Sequence, residues 1–329
     1  MGKLKYVHVV NKITPSMKDC LEEIPRRGGM YNWIFLFKGS MIPFNNVTKK
    51  ILEQFDVVQL NMAPVDQFLV KEVRRMIGNN SNTLIIGNND YTCESWDTWS
   101  QHPLQYEQAQ DELDAVFGTE PHQTSHLRED AYTIPHPHWI DMLKHIGNDD
   151  INIDKFNVGS IYHWWEGKHY TQSLTFLRLR RNYPNLVTRL YGYNGANDKN
   201  KKWQKVMWDK TMPLMEYPEF QRSLMTNRFI YDNCSYHTYG RTTVDCSALR
   251  IPCLGSDRID SMKLCFPEMC CDPFDMRKQL EIMDKVLKGG KWFDKQMDYA
   301  YESSEYYNYH NSEKRYMIMV EETRERLHK

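Results

Sequence analysis

The chain has 329 residues, and 42 Lys and Arg against 43 Asp and Glu give it a formal net charge of -1. Hydrophobic residues at 41% and aromatic residues at 13% supply enough apolar side chain for globular cores, which excludes an intrinsically disordered chain. No apolar run reaches the roughly 18–20 residues that cross a bilayer, and no signal-peptide pattern opens the sequence. We therefore expect a soluble, cytoplasmic protein, and at about 100–200 residues per domain the length predicts two domains.

Periodic segments alternate regularly along the first 150 residues. Strands are predicted at 4–10, 33–37, 56–60, 83–87, 115–118 and 132–134. Helices are predicted at 46–54, 66–77 and 103–113. This β-α order is typical of a mostly parallel sheet with helices on both faces, and it predicts an N-terminal Rossmann-like domain over residues 1–150.

A polar, turn-rich stretch at 147–154 predicts a linker, after which a second β/α series begins. Its strands are predicted at 156–162, 186–191, 228–231 and 252–255. Its helices are predicted at 170–181, 219–226, 242–249, 274–287 and 291–327. We therefore predict a second Rossmann-like domain over residues 151–329, and an α/β fold of two doubly wound domains that face a cleft.

The charge differs between the two halves. Residues 1–150 hold 14 basic against 20 acidic side chains, and residues 151–329 hold 28 against 23. The most basic range is 155–210, with 11 Lys and Arg against 3 Asp and Glu. Such a segment suits an anionic partner, such as a nucleotide phosphate or a nucleic-acid backbone, and it also suits a solvated helix face.

The strongest chemical signal is the stretch HTYGRTTVDCSALRIP at 237–252. The start of a helix presents unpaired amides and a positive dipole, Gly240 allows a ligand to approach the backbone closely, and Arg241 adds a full charge. This combination suits a pyrophosphate, and Asp245 one turn later can accept from ribose hydroxyls. A helix with Thr242 as its N-cap explains the same residues equally well.

The same stretch resembles the donor-binding motif of GT-B glycosyltransferases, especially the retaining group that uses nucleotide sugars. That motif has two acidic positions eight residues apart, and here they are His237 and Asp245. The resemblance implies that Asp245 contacts the ribose and that His237 lies near the donor sugar. It also implies that the backbone from Tyr239 through Gly240 and Arg241 to Thr242 holds the donor diphosphate.

Other segments agree with this resemblance in order and distance. The range 157–161 followed by Lys168 is similar to the family's first C-domain strand and the Lys after it, which implies that Lys168 binds the donor diphosphate. The family's Arg after the first Gly is replaced by Ser160, and we infer that Arg241 supplies the missing charge. The Tyr-rich helix at 291–327 resembles the family's last helix, which returns to the N-domain.

Asp90 follows the strand predicted at 83–87, and the carboxyl ends of strands line the ligand crevice in such sheets. It is a candidate general base for an acceptor hydroxyl or a group that positions the acceptor, and an Asx turn explains it as well. Gly28 and Gly29 form either a loop under the donor phosphate or a plain turn. The Pro-His-Pro sequence around His136 is similar to the family's connection before the linker, which is a structural resemblance.

The resemblance and the residues together predict a glycosyltransferase that moves a hexosyl or pentosyl unit from a nucleotide-diphosphate donor, most of all a UDP-sugar, to an acceptor hydroxyl. No D-x-D signature occurs, so no metal and no cofactor beyond the donor substrate are expected. The acceptor is a glycan or a small molecule, and the protein is a monomer or a homodimer.

Two alternatives stay open. One is a phage-type DNA glycosyltransferase acting on hydroxymethylated bases, which the basic range 155–210 and the tryptophans Trp96, Trp99, Trp164 and Trp165 favour and the acidic first half opposes. The other is a non-catalytic nucleotide- or glycan-binding protein with a GT-B-like shell, which the replacements at His237 and Ser160 motivate.

Overall fold

The computed structural model describes residues 4–12, 32–62, 67–79, 81–90, 103–149, 151–154, 156–161, 172–191, 208–213 and 215–329. The chain divides into two units, the first formed by Met1–His138 together with Tyr307–Lys329 and the second by Trp139–Tyr306. Each unit is built on one six-stranded sheet, and the strands that pair within each sheet are parallel.

The first unit contains strands β1 to β6, at Tyr6–Val10, Ser40–Pro43, Val57–Asn61, Leu84–Asn89, Ala115–Gly118 and Tyr132–Thr133. Their order in the sheet is β2-β1-β3-β4-β5-β6. Strands β1, β3, β4 and β5 are buried along their whole length, which explains why most of their residues on both faces are apolar.

Helices α1 to α5 of the first unit lie at Asn32–Phe37, Lys49–Leu52, Gln67–Ile77, Pro103–Asp111 and Pro121–Thr124. Helix α3 shows the amphipathic pattern read from the sequence, since Leu69, Val70, Val73 and Ile77 are buried in the core. The helix predicted at 46–54 is shorter, because Thr48 caps α2 by accepting a hydrogen bond from the Ile51 amide.

Residues 33–37 form helix α1, and the prediction of a strand there is wrong. Trp33, Ile34 and Phe37 are buried whereas Phe35 and Leu36 are half-buried, which is the spacing of one helix face. A short run of consecutive apolar residues has no period that separates a helix from a strand. The next segment, β2, is instead the strand that pairs with one side of β1, and the sequence prediction missed it; β3 pairs with the other side.

The second unit contains strands β7 to β12, at Asn157–Ile161, Val187–Tyr191, Lys210–Thr211, Ile230–Asp232, Cys253–Ser256 and Cys270–Cys271. The sheet order is β12-β11-β10-β7-β8-β9. The chain therefore runs outward from β7 to β9, returns to β10 beside β7, and runs outward again to β12. This is the strand order of the dinucleotide-binding fold, and it creates a switch point between β7 and β10, where ligands bind at the carboxyl ends of strands.

Helices α6 to α12 of the second unit lie at Ile140–Ile146, Gln172–Asn182, Tyr217–Met225, Arg241–Ala248, Asp260–Cys265, Met276–Lys288 and Lys291–Ser303. Helix α6, which the sequence prediction missed, packs on α8 and α9. The second unit consequently begins at Trp139, before the domain boundary predicted at residue 150.

The last helix, α13 (Tyr309–Leu327), packs within the first unit. It is separated from α12 by a 3-10 turn at Ser304–Tyr307, so the single helix predicted at 291–327 is two helices. The Asn308 side chain caps α13 by accepting from the Asn311 amide at 2.8 Å. The Tyr316 hydroxyl donates to Gln59 Oε1 at 2.9 Å, which ties α13 to the buried face of β3.

No helix in the described part of the chain combines the length and the apolar character that a membrane crossing requires.

Candidate functional site

The loop between β10 and α9 lies at the carboxyl edge of the second sheet. The Thr238 amide donates to the Arg258 carbonyl at 3.1 Å, and the Asp260 amide donates to the Thr238 carbonyl at 2.9 Å. The Ser261 amide donates to the Tyr239 carbonyl at 3.1 Å. These bonds hold the loop against the segment that follows β11. The segments after β10 and β11 therefore lie side by side at the carboxyl edge of the sheet.

Gly240 is the N-cap of α9 and adopts the left-handed conformation, with φ 84° and ψ 62°. A Cβ atom at this position would lie 2.1 Å from Ile259 Cγ2 and 2.5 Å from Ser261 Oγ, so only glycine fits. The Ser261 hydroxyl donates to the Gly240 carbonyl at 2.7 Å and fixes the turn. Helix α9 therefore starts at Arg241, and the alternative that Thr242 is the N-cap is wrong.

A glycine cap has consequences for ligand binding. Gly240 makes no side-chain hydrogen bond to the first turn of α9, which Ser, Thr or Asp would do at an N-cap. The dipole of a helix favours an anion at its N-terminus, where the first amides point outward along the helix axis. The geometry around Gly240 is therefore compatible with the predicted diphosphate site.

Two arginines add positive charge to this edge. Arg241 is exposed at the first position of α9. Arg258, which the sequence prediction missed, is half-buried; its Nη1 donates to the Ser235 carbonyl at 2.5 Å and its guanidinium lies 5.4 Å from the centre of the Phe274 ring. The signal that would have found it is a basic residue three positions beyond the end of the strand predicted at 252–255.

Ser160 is completely buried in β7, where its neighbours are Leu190 of β8 and Tyr231 of β10. A serine at this position brings no charge to the carboxyl edge. The structure thus leaves Arg241 and Arg258 as the arginines that the described residues place beside the start of α9.

Asp245 lies in the second turn of α9 and is only 2% exposed. Its Oδ1 accepts from the Tyr217 hydroxyl at 2.8 Å, and its Oδ2 accepts from Gln221 Nε2 at 2.9 Å. Both donors belong to α8, so the carboxylate links α9 to α8. The ribose contact of Asp245 stays a prediction.

The remaining predicted donor residues are distributed as follows. His237 is half-buried in the loop before α9, and Tyr239 is 4% exposed in the same loop. Lys168, Gly28 and Gly29 lie outside the described residues, as do the four tryptophans that favoured a DNA acceptor.

The predicted acceptor residue, Asp90, follows β4 at the carboxyl edge of the first sheet. Its side chain is 27% exposed, and its Oδ2 lies 3.3 Å from Nε2 of the buried His136. Its Oδ1 lies 3.3 Å from the Thr119 hydroxyl, which follows β5. Sequence reasoning identified Asp90 but treated His136 as structural, because the two residues are joined only by the strand order.

His8 on β1 is a buried histidine in the first unit. Complete burial and repulsion from His136 lower the pKa of His8 to about 4. The folded protein thus holds His8 neutral at pH values where the unfolded chain protonates it.

This burial predicts a specific loss of stability in acid. The contribution of His8 is full above the unfolded pKa of about 6.5, falls as the pH drops, and is about 2 kcal/mol smaller at pH 5. In His8→Gln, the free energy of unfolding should therefore decrease about 2 kcal/mol less between pH 7 and pH 5 than in the wild type. Urea unfolding at the two pH values measures this difference, and an identical pH dependence in both proteins would contradict it.

A cavity of about 550 Å³ also opens in the second unit, lined by Phe156, Tyr183, Arg228 and Leu287 among others. Phe156, Leu186 and Arg228 precede β7, β8 and β10, so the cavity lies at the amino ends of these strands. It is consequently separate from the edge that carries α9. Within the described ranges, no three His, Cys, Asp or Glu side chains are grouped to hold a metal ion.

No protein-family model and no curated protein matches the sequence. Solved structures do match it. The trehalose-6-phosphate synthase of Burkholderia multivorans is 8% identical with a TM-score of 0.66, and the match covers 98% of this chain and 99% of that one. The trehalose-6-phosphate synthase OtsA, in its apo structure, is 9% identical with a TM-score of 0.70. The match covers 96% of this chain and 99% of that one.

A third match is a Staphylococcus aureus TarM mutant in complex with fondaparinux, alpha-GlcNAc-glycerol and UDP. It is 12% identical with a TM-score of 0.62, and the match covers 80% of this chain. This chain spans about half of TarM, 55% of its length. The two parallel sheets and these matches show a GT-B glycosyltransferase-like α/β fold.

Proposed function

We propose that the protein is a glycosyltransferase that moves a sugar from a UDP-linked donor to an acceptor hydroxyl. The second unit binds the nucleotide diphosphate, and the first unit contributes Asp90 to the acceptor. The observation that carries the proposal is the glycine-capped start of α9, at the carboxyl edge of a sheet with the dinucleotide-binding strand order.

The comparisons support a UDP-type donor. The TarM complex contains UDP, and a synthase from Burkholderia xenovorans with a TM-score of 0.65 is described as UDP-forming. Both proteins share the fold of this chain. We propose that the start of α9 binds the diphosphate of such a donor. UDP is therefore the first nucleotide to test.

The chemistry follows from the groups at the two edges. As the acceptor oxygen attacks the anomeric carbon, its proton passes to Asp90, and the bond between the sugar and the diphosphate breaks with its electron pair on the phosphate. Arg241, Arg258 and the amides at the start of α9 stabilise that negative charge. A single well-placed donor of this kind is worth about 3–4 kcal/mol in the transition state.

Direct displacement by an oxygen whose proton goes to Asp90 inverts the anomeric centre. A retained configuration in the product would remove Asp90 from the role of base and leave it as the group that positions the acceptor. The configuration of the product, read by NMR from the anomeric proton, decides between these two roles.

Ligand binding is the first test. UDP at 100 times its dissociation constant stabilises its unit by about 2.7 kcal/mol, which corresponds to a rise of roughly 5–10 °C in Tm. We expect this shift with UDP and a smaller one with GDP or ADP in a thermal-shift assay. No shift with any of these nucleotides would contradict the donor site.

Charge at the start of α9 provides a matched comparison. Arg241→Ala should raise the dissociation constant of UDP about tenfold or more, because a charge-assisted hydrogen bond is lost. Arg250→Ala is the control, since Arg250 lies beyond the other end of α9 and pairs with Asp298 at 2.8 Å. Isothermal titration calorimetry should show weaker UDP binding only in the Arg241 variant. An equal loss of affinity in both variants would contradict the assignment of the diphosphate site to the start of α9.

The acceptor is tested by transfer from labelled UDP-sugars to a glycan panel, to small polyols and to hydroxymethylated DNA. Transfer to DNA alone would establish the alternative of a DNA glycosyltransferase. Tight UDP binding with neither transfer nor donor hydrolysis would establish the alternative of a non-catalytic binding protein.

A further inference from the structure

The cavity of about 550 Å³ in the second unit has mainly apolar walls. Rings and aliphatic groups line it from Phe156, Tyr183, Pro184, Leu186 and Leu287. Phe156 is 42% exposed, so part of this apolar surface is open to solvent. The volume lies within the range of about 300–1,000 Å³ that ligand sites in proteins occupy. The cavity therefore offers an apolar surface to a small organic molecule.

Backbone hydrogen bonds hold the walls of the cavity in place. The Val187 amide donates to the Phe156 carbonyl at 2.7 Å, and the Arg228 amide donates to the Asn157 carbonyl at 2.7 Å. A bond of 3.1 Å across the turn at 183–186 fixes the wall between α7 and β8. Because these bonds join the starts of β7, β8 and β10, the cavity is formed before a ligand binds, and little of its backbone has to be ordered on binding.

Among the described residues that line the cavity, Arg228 is the charged one. Its side chain is half-buried, and its guanidinium lies 5.5 Å from the centre of the Phe293 ring. No carboxylate of the described residues forms an ion pair with this guanidinium. A contact with a ring face uses none of the five N–H donors of an arginine, so these donors stay available to an acceptor in the cavity.

The carboxylate that contacts the cavity wall is already neutralised. Asp284 accepts from the Tyr183 hydroxyl, and Lys288 Nζ donates to Asp284 Oδ2 at 2.5 Å. The charge of Asp284 is therefore balanced within α11, and the cavity keeps the positive charge of Arg228. The planar fork of an arginine matches the two oxygens of a carboxylate, so a ligand with that group suits this position.

We propose that this cavity binds a small organic acid, with its carboxylate on Arg228 and its apolar body against Phe156, Leu186 and Leu287. The two parts of such a molecule match the two properties of the site, which are one positive charge and apolar walls. The cavity lies at the amino ends of the strands, so the acid does not compete with a diphosphate at the start of α9. The inference does not depend on the proposed function.

Octanoate is the probe, and octanamide, which has the same apolar body without the charge, is its matched control. The unsubstituted protein should bind octanoate about tenfold or more tightly than octanamide, because only the acid forms a charge-assisted hydrogen bond. Each buried methylene is worth about fourfold in affinity, so octanoate should also bind about tenfold or more tightly than butyrate. Isothermal titration calorimetry measures the three dissociation constants.

Equal affinities in either comparison would overturn the proposal. If octanoate and octanamide bind alike, Arg228 only complements the C-terminal ends of α7 and α11, which flank the cavity and carry partial negative charge. If octanoate and butyrate bind alike, the apolar walls do not contact the ligand.

A pair of arginine substitutions tests where the acid binds. Arg228→Gln removes the charge from the cavity, whereas Arg181→Gln removes an exposed charge in the last turn of α7, outside the cavity lining. Arg228→Gln should raise the dissociation constant of octanoate about tenfold or more and change that of octanamide less than about twofold. Arg181→Gln should leave both nearly unchanged. Unchanged octanoate binding in Arg228→Gln, or an equal loss in both variants, would overturn the proposal.

A further measurement locates the acid even if Arg228→Gln does not fold. In protein with ¹³C-labelled leucine methyl groups, the signal that is absent in Leu287→Val identifies Leu287. Octanoate should shift this signal over the concentration range of the calorimetric titration. A Leu287 signal that does not move would overturn the proposal. Displacement of octanoate by UDP would also overturn it, since the two ligands would then share one site.

Discussion

Replacing Asp90 with Asn is expected to lower the rate of sugar transfer by about 10²–10⁴-fold, the usual contribution of a general base. Asn has nearly the shape of Asp, but its amide cannot take a proton from the acceptor hydroxyl. Since the nucleotide site is assigned to the second unit, the dissociation constant of UDP should not change. Steady-state release of UDP, with the acceptor saturating, measures the effect.

Asp114 is the matched control for Asp90 in the same sheet. It precedes β5 at the amino edge, and it accepts from Arg74 Nη2 and from the Ile85 amide, both at 2.7 Å. Asp114→Asn should lower the free energy of unfolding by about 1–3 kcal/mol while leaving the turnover of the folded protein intact. If both variants lose turnover alike, Asp90 has no chemical role and only supports the fold.

Strands of the sheet core could be predicted because each is a short apolar run bounded by polar and turn-forming residues. β4 and β5 lie within two residues of the predicted bounds, and both are buried along their length. β9 (Lys-Thr) and α5 (Pro-His-Gln-Thr) contain no apolar run that would mark them in the sequence. The formation of β9 depends on pairing with β8, and that of α5 on capping by the Glu120 side chain.

In the candidate site, the sequence indicates single residues but not the side chains that contact them. The position of Asp90 after a strand is a local feature, so sequence alone indicates it. Its partner His136 comes from the segment after β6, and only the order β4-β5-β6 brings the two together. Asp245 is similar, since the start of its helix is predicted but the donors Tyr217 and Gln221 on α8 are not.

Gly240, at the start of α9, is expected to tolerate substitution poorly. Gly240→Ala places a methyl group 2.1 Å from Ile259 Cγ2 and forces a residue with φ 84° to carry a Cβ atom. Left-handed strain and overpacking together should lower the free energy of unfolding by about 2–4 kcal/mol. The shifted loop should also raise the dissociation constant of UDP at least tenfold, because a displacement of about 1 Å disrupts a preorganised site.

Gly78 separates strain from overlap. It has φ 80°, close to that of Gly240, but a Cβ there meets nothing within 4 Å. Gly78→Ala should therefore lower the free energy of unfolding by only about 1 kcal/mol, the cost of the backbone conformation alone.

A double variant tests the contact with Ile259. In Gly240→Ala/Ile259→Ala the overlapping methyl is gone, so urea unfolding should show a favourable coupling of about 1–2 kcal/mol between the two changes. Additive losses in the free energy of unfolding would mean that Ile259 does not pack against the turn at Gly240. The loop would then lack the rigidity on which the proposed diphosphate site depends.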